Sequence, residues 1–408
     1  MKKVSESIVK RFVYKILFIY IFIIYSSSLS KFGTYNLGLF GIVDKYGKYS
    51  LYFFTGIVFI FTANKLVKYK GLMSWGIFLW CMCIGSIIVS VNPGGTIILL
   101  VNLVISIFWA YWFSMKFTTK EFYGLLLISC FCICLLQYYF MIFYPQYSYS
   151  VYLKETVLSG TFYQKNNSAI FMAFSVIVSL FSFINSKNKR IRVFSLLTFL
   201  SAICIMIQIK SVTSLVSCIT ACLVTIIFSK RKSIINFVFL GLTLNIGIVY
   251  MAVSGNGFLG GILNDLGRDG SLTGRAPMWK SILTLIKENL FFGYGYETFW
   301  IYNLDLRRYV VNNAGGAHNG VLELLLGLGL IGTIWFFFLW VRYGRELKIQ
   351  LIQGNKQLQF QYAYMVLLLT YIISERTFGN SSYQTLIFAW CIINVLGKNK
   401  IQSKELNI

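Results

Sequence analysis

Charge is what this chain has least of. Asp, Glu, Lys and Arg make up only 12% of its residues, against about 25% in a soluble domain that must keep its surface wetted. Proline is nearly absent, with 3 in 408 residues, which leaves little room for disordered linkers or a loop-rich β architecture. Histidine occurs once, at His318, and the acidic residues number 13 against 37 basic ones. No polar block is large enough to form a separate soluble domain.

Apolar residues fill the space instead: 57% of the chain is hydrophobic, 18% aromatic, and the mean hydropathy is +0.70. Runs of roughly 16–22 apolar residues are long enough to cross a hydrocarbon core of about 30 Å as helices. They fall near 12–29, 49–63, 72–91, 96–115, 122–144, 167–184, 193–209, 212–229, 234–253, 320–341, 360–374 and 383–397. The second, seventh and last two carry the weakest signal. Only helices or closed barrels satisfy their backbone in lipid, and these runs far exceed barrel strands of about ten residues. The chain therefore reads as an all-α polytopic membrane protein of about 12 transmembrane helices, one transmembrane domain spanning 1–408. Lys2, Lys3, Lys10 and Arg11 precede the first run, but no small-x-small cleavage site follows Ser28 and more spans come after, so this run reads as an uncleaved anchor.

Charge supplies an independent check. With both termini cytoplasmic, the inner segments hold 24 of the 37 basic residues. They contain only four acids, Glu6, Glu121, Glu346 and Glu405. Lys and Arg thus alternate between sides as the positive-inside rule requires. The formal charge of +24 reflects topology and attraction to anionic headgroups, not a folded basic surface for nucleic acid. All nine cysteines lie inside apolar runs. Cys81-x-Cys83 and Cys130-x-Cys132-x-Cys134 have i,i+2 spacings that point to different helix faces, and the one histidine is distant. They read as small packing residues, not as disulfides or metal ligands.

The longest polar stretch is the extracytoplasmic loop 254–318, between the ninth and tenth spans. Loops this long are functional or disordered, and Trp279, Phe291, Phe292, Tyr294, Tyr296, Phe299 and Trp300 argue against disorder. Within it, Pro277 to Asn289 has the pattern of an amphipathic helix: Met278, Trp279, Ile282, Leu283, Ile286 and Leu290 share one face. Such a helix is expected to lie along the membrane surface, apolar face down. Arg275 sits just before its N-terminus, where free N–H groups and the helix dipole favour an anion and a guanidinium grips phosphate as a fork. The plainer alternative pairs Arg275 with Asp265 or Asp269.

His318 and Asn319 open the tenth span, with Glu323 one turn further in. An imidazole suits proton removal from a hydroxyl near neutral pH; the plainer role is a helix cap. An acid inside a span needs a partner or a position shallow enough to stay wet. Three further outer polar spots are Gln164-Lys165-Asn166-Asn167, Lys210-Ser211-Val212-Thr213 and Glu375-Arg376. Gly327-x-Gly329-x-x-Gly332 fits a dinucleotide fingerprint, but it lies in an apolar span with no strand before it. It reads as small residues for close helix packing.

Taken in order, Thr273-Gly274-Arg275-x-x-Met278-Trp279, Asn289-Leu290-Phe291-Phe292-Gly293-Tyr294-Gly295, Ala317-His318-Asn319-Gly320-x-Leu322-Glu323 and Gly327-x-Gly329-Leu330-Ile331-Gly332 resemble the O-antigen ligase and polysaccharide polymerase superfamily. The upstream Gly160-Thr161-Phe162-x-x-Lys165-Asn166 resembles it too. The resemblance implies glycosyl transfer at the outer face of the bacterial cytoplasmic membrane, from a glycan on undecaprenyl diphosphate, inverting, with no metal, cofactor or nucleotide sugar. By the same resemblance His318 is the base and Arg275 holds the diphosphate. Lys210 stands where the family has a second arginine, with Arg268, Lys165, Asn166, Asn319, Glu323 and Trp279 as further substrate-binding residues. Membrane lipids, a chain-length regulator and a flippase are the partners such a pathway implies; nucleic acid is not. Repeat-unit polymerisation is the favoured reading, since Lys210 departs from the ligase-like turn. Ligation of the finished glycan to lipid A core or protein is the alternative within the family. A transporter of the same lipid-linked sugar is the alternative outside it, and would call for inverted repeats and broken helices.

Overall fold

The computed structural model describes residues 8–66, 85–152, 155–228, 243, 247, 275–310, 315–373, 375–376 and 382–396. Most of the predicted spans 72–91 and 234–253, residues 254–274 of the long loop, and with them Arg268, Asp265 and Asp269, lie outside the described residues. The main helices are α1 Ile8–Ser26, α2 Gly38–Leu66, α3 Pro93–Lys116, α4 Thr119–Phe143, α5 Lys165–Asn185, α6 Lys189–Ile209, α7 Val212–Phe228, α8 Arg275–Glu288, α9 Gly320–Ile352, α10 Gln359–Tyr371 and α11 Tyr383–Leu396. One antiparallel hairpin, β1 Tyr149–Tyr152 with β2 Glu155–Leu158, is the only sheet among the described residues. The protein is an all-α polytopic membrane protein. Five described helices, α3 to α6 and α9, are long and apolar enough to cross a bilayer.

Short connections force neighbouring helices to run antiparallel. Thr118 caps α4 after a single extended residue, with Glu121 closing the capping box, and Asn188 caps α6. The helix ends consequently sort onto two sides. On one, Arg11 pairs with Glu121, Tyr123 donates to the Gln357 carbonyl at 2.9 Å, and Gln350 donates to Val395 O at 3.2 Å. On the other, the Lys31 amide donates to Thr161 O at 3.0 Å, Tyr296 N to Ser86 Oγ at 2.9 Å, and Asn319 to Ile373 O at 3.2 Å. Every candidate site residue described belongs to this second side.

The last two of the four spans with weak sequence signals are the centre of the bundle. α10 and α11 have 13 and 14 residues, so each rises only about 20 Å, less than a bilayer core. They need not match lipid because they face protein: Met365, Val366, Leu386 and Ile392 are completely buried. α10 packs on α7 and α5, and α11 on α3. Irregular backbone after α10 is tolerated for the same reason, and Ile372 and Ile373 meet the start of α9 there.

The Gly327–Gly332 stretch was expected to let helices pack closely. The structure instead breaks α9 there: Gly329 has φ +64° and ψ −168°, a region essentially reserved for glycine. The loop after α8 is seated in the break. Leu330 N donates to Leu290 O at 2.8 Å, Ile331 N to Phe291 O at 3.2 Å, and Tyr294 N to Leu326 O at 2.8 Å. Backbone groups released by the break are thus satisfied by residues 290–294, as low-polarity surroundings demand. A Cβ on Gly329 would lie 2.3 Å from Phe291 O, whereas one on Gly327 would lie 3.5 Å from its nearest neighbour. Gly329→Ala is therefore expected to destabilise by about 3 kcal/mol or more, from overpacking plus backbone strain. Gly327→Ala should be mild; thermal melting in detergent checks the pair, and equal melting points would contradict the seated loop.

A buried lysine anchors the hairpin side. Lys31 donates to Tyr147 O and, at 2.6 Å, to Ser159 Oγ. Gln137 then joins Thr161 N to Ser168 at 3.0 and 2.9 Å, which fixes the turn that starts α5. Burial pushes the Lys31 ammonium down to about 8. Its value in the unfolded chain is about 10.4, so between those limits the unfolded chain binds more protons and stability rises with pH. Melting temperature is expected to climb from pH 8 to 10, with Lys31→Met removing that part of the slope; an unchanged slope in the variant contradicts it.

Candidate functional site

The site is built from the turn that enters α9. Trp279, buried on α8, donates its indole N–H to Ala317 O at 2.8 Å, and Ala317 N donates to Glu323 Oε1 at 2.5 Å. Both backbone polar groups of Ala317 are therefore held. The other Glu323 oxygen accepts from Trp300 Nε1 at 2.8 Å. The next residue, His318, has φ +48°, a left-handed conformation uncommon outside glycine. Asn319 then caps α9 by accepting from Val321 N and Leu322 N at 3.1 and 3.0 Å. Its amide donates to Ile373 O, while Gly320 N donates to Ile372 O at 2.8 Å. These two bonds tie the end of α10 to the His318 turn.

That tie delivers Glu375. One of its oxygens lies 3.0 Å from His318 Nδ1; the other accepts from Arg275 at 3.1 Å and from Asn166 Nδ2 at 2.6 Å. Tyr371, one turn earlier, donates to Asn166 O at 3.1 Å. The Glu375 side chain is 12% exposed, Arg275 23% and His318 38%. The carboxylate is thus the floor of the cluster, and the imidazole is its most accessible member. When Nδ1–H is donated to the carboxylate, the lone pair sits on Nε2, the tautomer a general base requires. The cluster supplies a base, a cation beside it, and a buried acid that orients both.

The helix predicted over Pro277–Asn289 is present as α8, which begins at Arg275. Its apolar face does not lie on lipid. Met278, Trp279, Ile282, Leu285 and Ile286 pack with Tyr294, Phe299, Leu322 and Leu326, because the segment after α8 folds back and, with α9, offers a protein surface. Leu290, expected on that face, is exposed; it belongs to the segment seated in α9. Arg275 meets Glu375; Asp265 and Asp269, the plainer alternative partners, lie outside the described residues.

Lys210 closes α6 in the left-handed conformation, φ +53°. Its side chain is exposed, and the turn it forms leads to Ser214, which faces Tyr371 beside Glu375 and Arg275. Lys165 opens α5, one residue before Asn166. Trp279, Asn319 and Glu323 use the polar atoms described above to hold the His318 turn. Glu375 was visible in the sequence only as half of a polar pair between the last two spans. Its signal is an acid at the end of a largely apolar run that carries no charge after Lys356, with an arginine beside it. Arg376 points elsewhere, to Glu297.

Comparison with known families matches residues 197–337 to the O-antigen ligase family; no curated protein matches the chain. The matched segment contains Lys210, Arg275 and His318, whereas Asn166 and Glu375 come from outside it. Over that segment the chain is similar to the O-antigen ligase family, and its long apolar helices make it an integral membrane protein.

Proposed function

We propose that the protein polymerises oligosaccharide repeat units carried on undecaprenyl diphosphate into a surface polysaccharide, O-antigen or capsule. The reaction would run at the outer face of the cytoplasmic membrane, with the His318 side of the bundle outward and both termini inside. The observation that carries this reading is the convergence of His318 and Arg275, 43 positions apart in the chain, on the single carboxylate of Glu375.

In the proposed step an acceptor-sugar hydroxyl gives its proton to His318 Nε2 as its oxygen attacks the anomeric carbon of the donor. The bond from that carbon to the diphosphate oxygen breaks on the opposite face, and the electron pair leaves with the diphosphate, so the anomeric centre inverts. Arg275 stabilises the charge that develops there. Lys210, Lys165 and Arg268 are further phosphate or sugar contacts, Lys210 as a point charge without a fork. The imidazolium formed is held by Glu375, which keeps the ring oriented for a second turnover. Asn166 orients the carboxylate, while Asn319, Glu323 and Trp279 hold the turn that carries His318.

The family match is to ligases by name, so ligation to lipid A core or protein is the second reading. Purified protein in vesicles with lipid-linked repeat units separates the two. Chain growth with neither core nor protein acceptor added supports the polymerase; product only on adding an acceptor supports the ligase. No transfer in either mixture overturns both. The break in α9 answers one expectation of the transport reading, but loop backbone closes it.

A further inference from the structure

The consecutive residues Glu375 and Arg376 serve two different centres. Arg376 forms an ion pair with Glu297 in a small cavity beside the residues that hold the His318 turn. The cavity is walled by Tyr296, Phe299, Trp300 and Glu323. Phe299 and Trp300 are 2% and 6% exposed, and Tyr296 is 3% exposed. The Tyr296 hydroxyl nevertheless meets no hydrogen-bond partner among the described residues. A buried hydroxyl without a partner is costly, so its presence in the wall of a cavity that also holds an ion pair points to a guest that completes it. Glu297 adds a second sign. Its φ is +58°, a conformation a non-glycine residue holds only when its surroundings impose it, and such residues cluster at ligand sites.

The chemistry selects the guest. A carboxylate accepts hydroxyl protons, a guanidinium donates to hydroxyl oxygens, a phenol does either, and aromatic walls cover C–H faces. The paired charges cancel, which disfavours a phosphate and favours a neutral, hydroxyl-rich group. The cavity also shares Glu323 and Trp300 with the scaffold of His318. We propose that this cavity is the specificity subsite for the acceptor glycan, taking one hydroxyl or hydroxymethyl edge of the sugar whose neighbouring hydroxyl His318 deprotonates. This rests on the glycosyl-transfer reading and adds to it the residues that choose the acceptor.

The test uses the full-length protein in nanodiscs and, as probe, the unlipidated repeat-unit oligosaccharide released from the source polysaccharide. Having no diphosphate, the probe does not report on Arg275. Binding is followed by tryptophan fluorescence or calorimetry. Wild-type protein is expected to bind it saturably, and Tyr296→Phe and Glu297→Gln about 10-fold more weakly. In transfer assays Tyr296→Phe should raise the acceptor KM about 10-fold with kcat and donor KM unchanged. Equal affinity of Tyr296→Phe and wild type, or no binding by wild type, overturns the subsite and means that the hydroxyl meets only water. Failure of the wild type to transfer to any acceptor sinks the glycosyl-transfer reading instead, whatever Tyr296 does.

Discussion

Replacing His318 by alanine is expected to lower the initial rate of chain growth about 10²–10⁴-fold, the range supplied by a positioned general base. The turn around it should persist. Ala317 is held through its N–H by Glu323 and through its carbonyl by Trp279, and Asn319 caps α9 with its own side chain. None of these bonds involves the imidazole. Alanine does tolerate the +48° φ of this position less well than asparagine, which enters the left-handed region readily. His318→Asn is therefore the cleaner companion: it keeps the backbone and cannot act as a base at neutral pH. Both variants should melt near the wild-type temperature and keep only that residual rate. A wild-type initial rate from either would remove His318 from the mechanism.

Much of this arrangement was legible before any coordinates. The apolar runs located the helices because lipid leaves no other solution for a backbone, and α8 was visible through its periodicity and Pro277. His318 stood out as the only histidine. What was not legible depends on non-local pairing. Glu375 lies 57 residues from His318 and 100 from Arg275, and no local pattern states that an acid past α10 folds back beneath α9. The glycines of α9 raise a related difficulty. Gly329 in an apolar run looks like helix-packing glycine, and only the loop backbone at Phe291, 2.3 Å from where its Cβ would be, reveals a break. The weak signals of α10 and α11 mislead in the opposite sense. A span surrounded by protein can be short, so the most buried helices of the bundle are among the least conspicuous in a hydropathy reading. Their completeness as core, with Trp390 stacked on Phe122 at 3.6 Å, explains why the chain can return precisely placed polar residues from irregular backbone.

Arg275→Lys is expected to lower turnover about 10²–10³-fold, the usual cost of losing one preorganised contact to developing charge. The substitution keeps the charge and the reach to Glu375, so the fold should be intact; what it removes is the planar fork. Glu375 makes the distinction sharper. Its carboxylate already occupies one side of Arg275 in the absence of substrate. A guanidinium has five N–H groups fanned in a plane and can serve a carboxylate and a phosphate together. An ammonium must divide a compact set of donors between them. Lysine there should therefore bind the donor lipid less well and stabilise the leaving diphosphate less well, affecting KM and kcat together. Glu375→Gln in the same background frees that ammonium from its ion pair, and part of the donor affinity should return, whereas in the wild-type background Glu375→Gln lowers kcat by loosening His318. The four initial rates form a double-mutant cycle whose coupling must be non-zero if both residues act over one pocket. Strictly additive effects, or wild-type turnover by Arg275→Lys, would make Arg275 a headgroup anchor and leave His318 without its electrophilic partner.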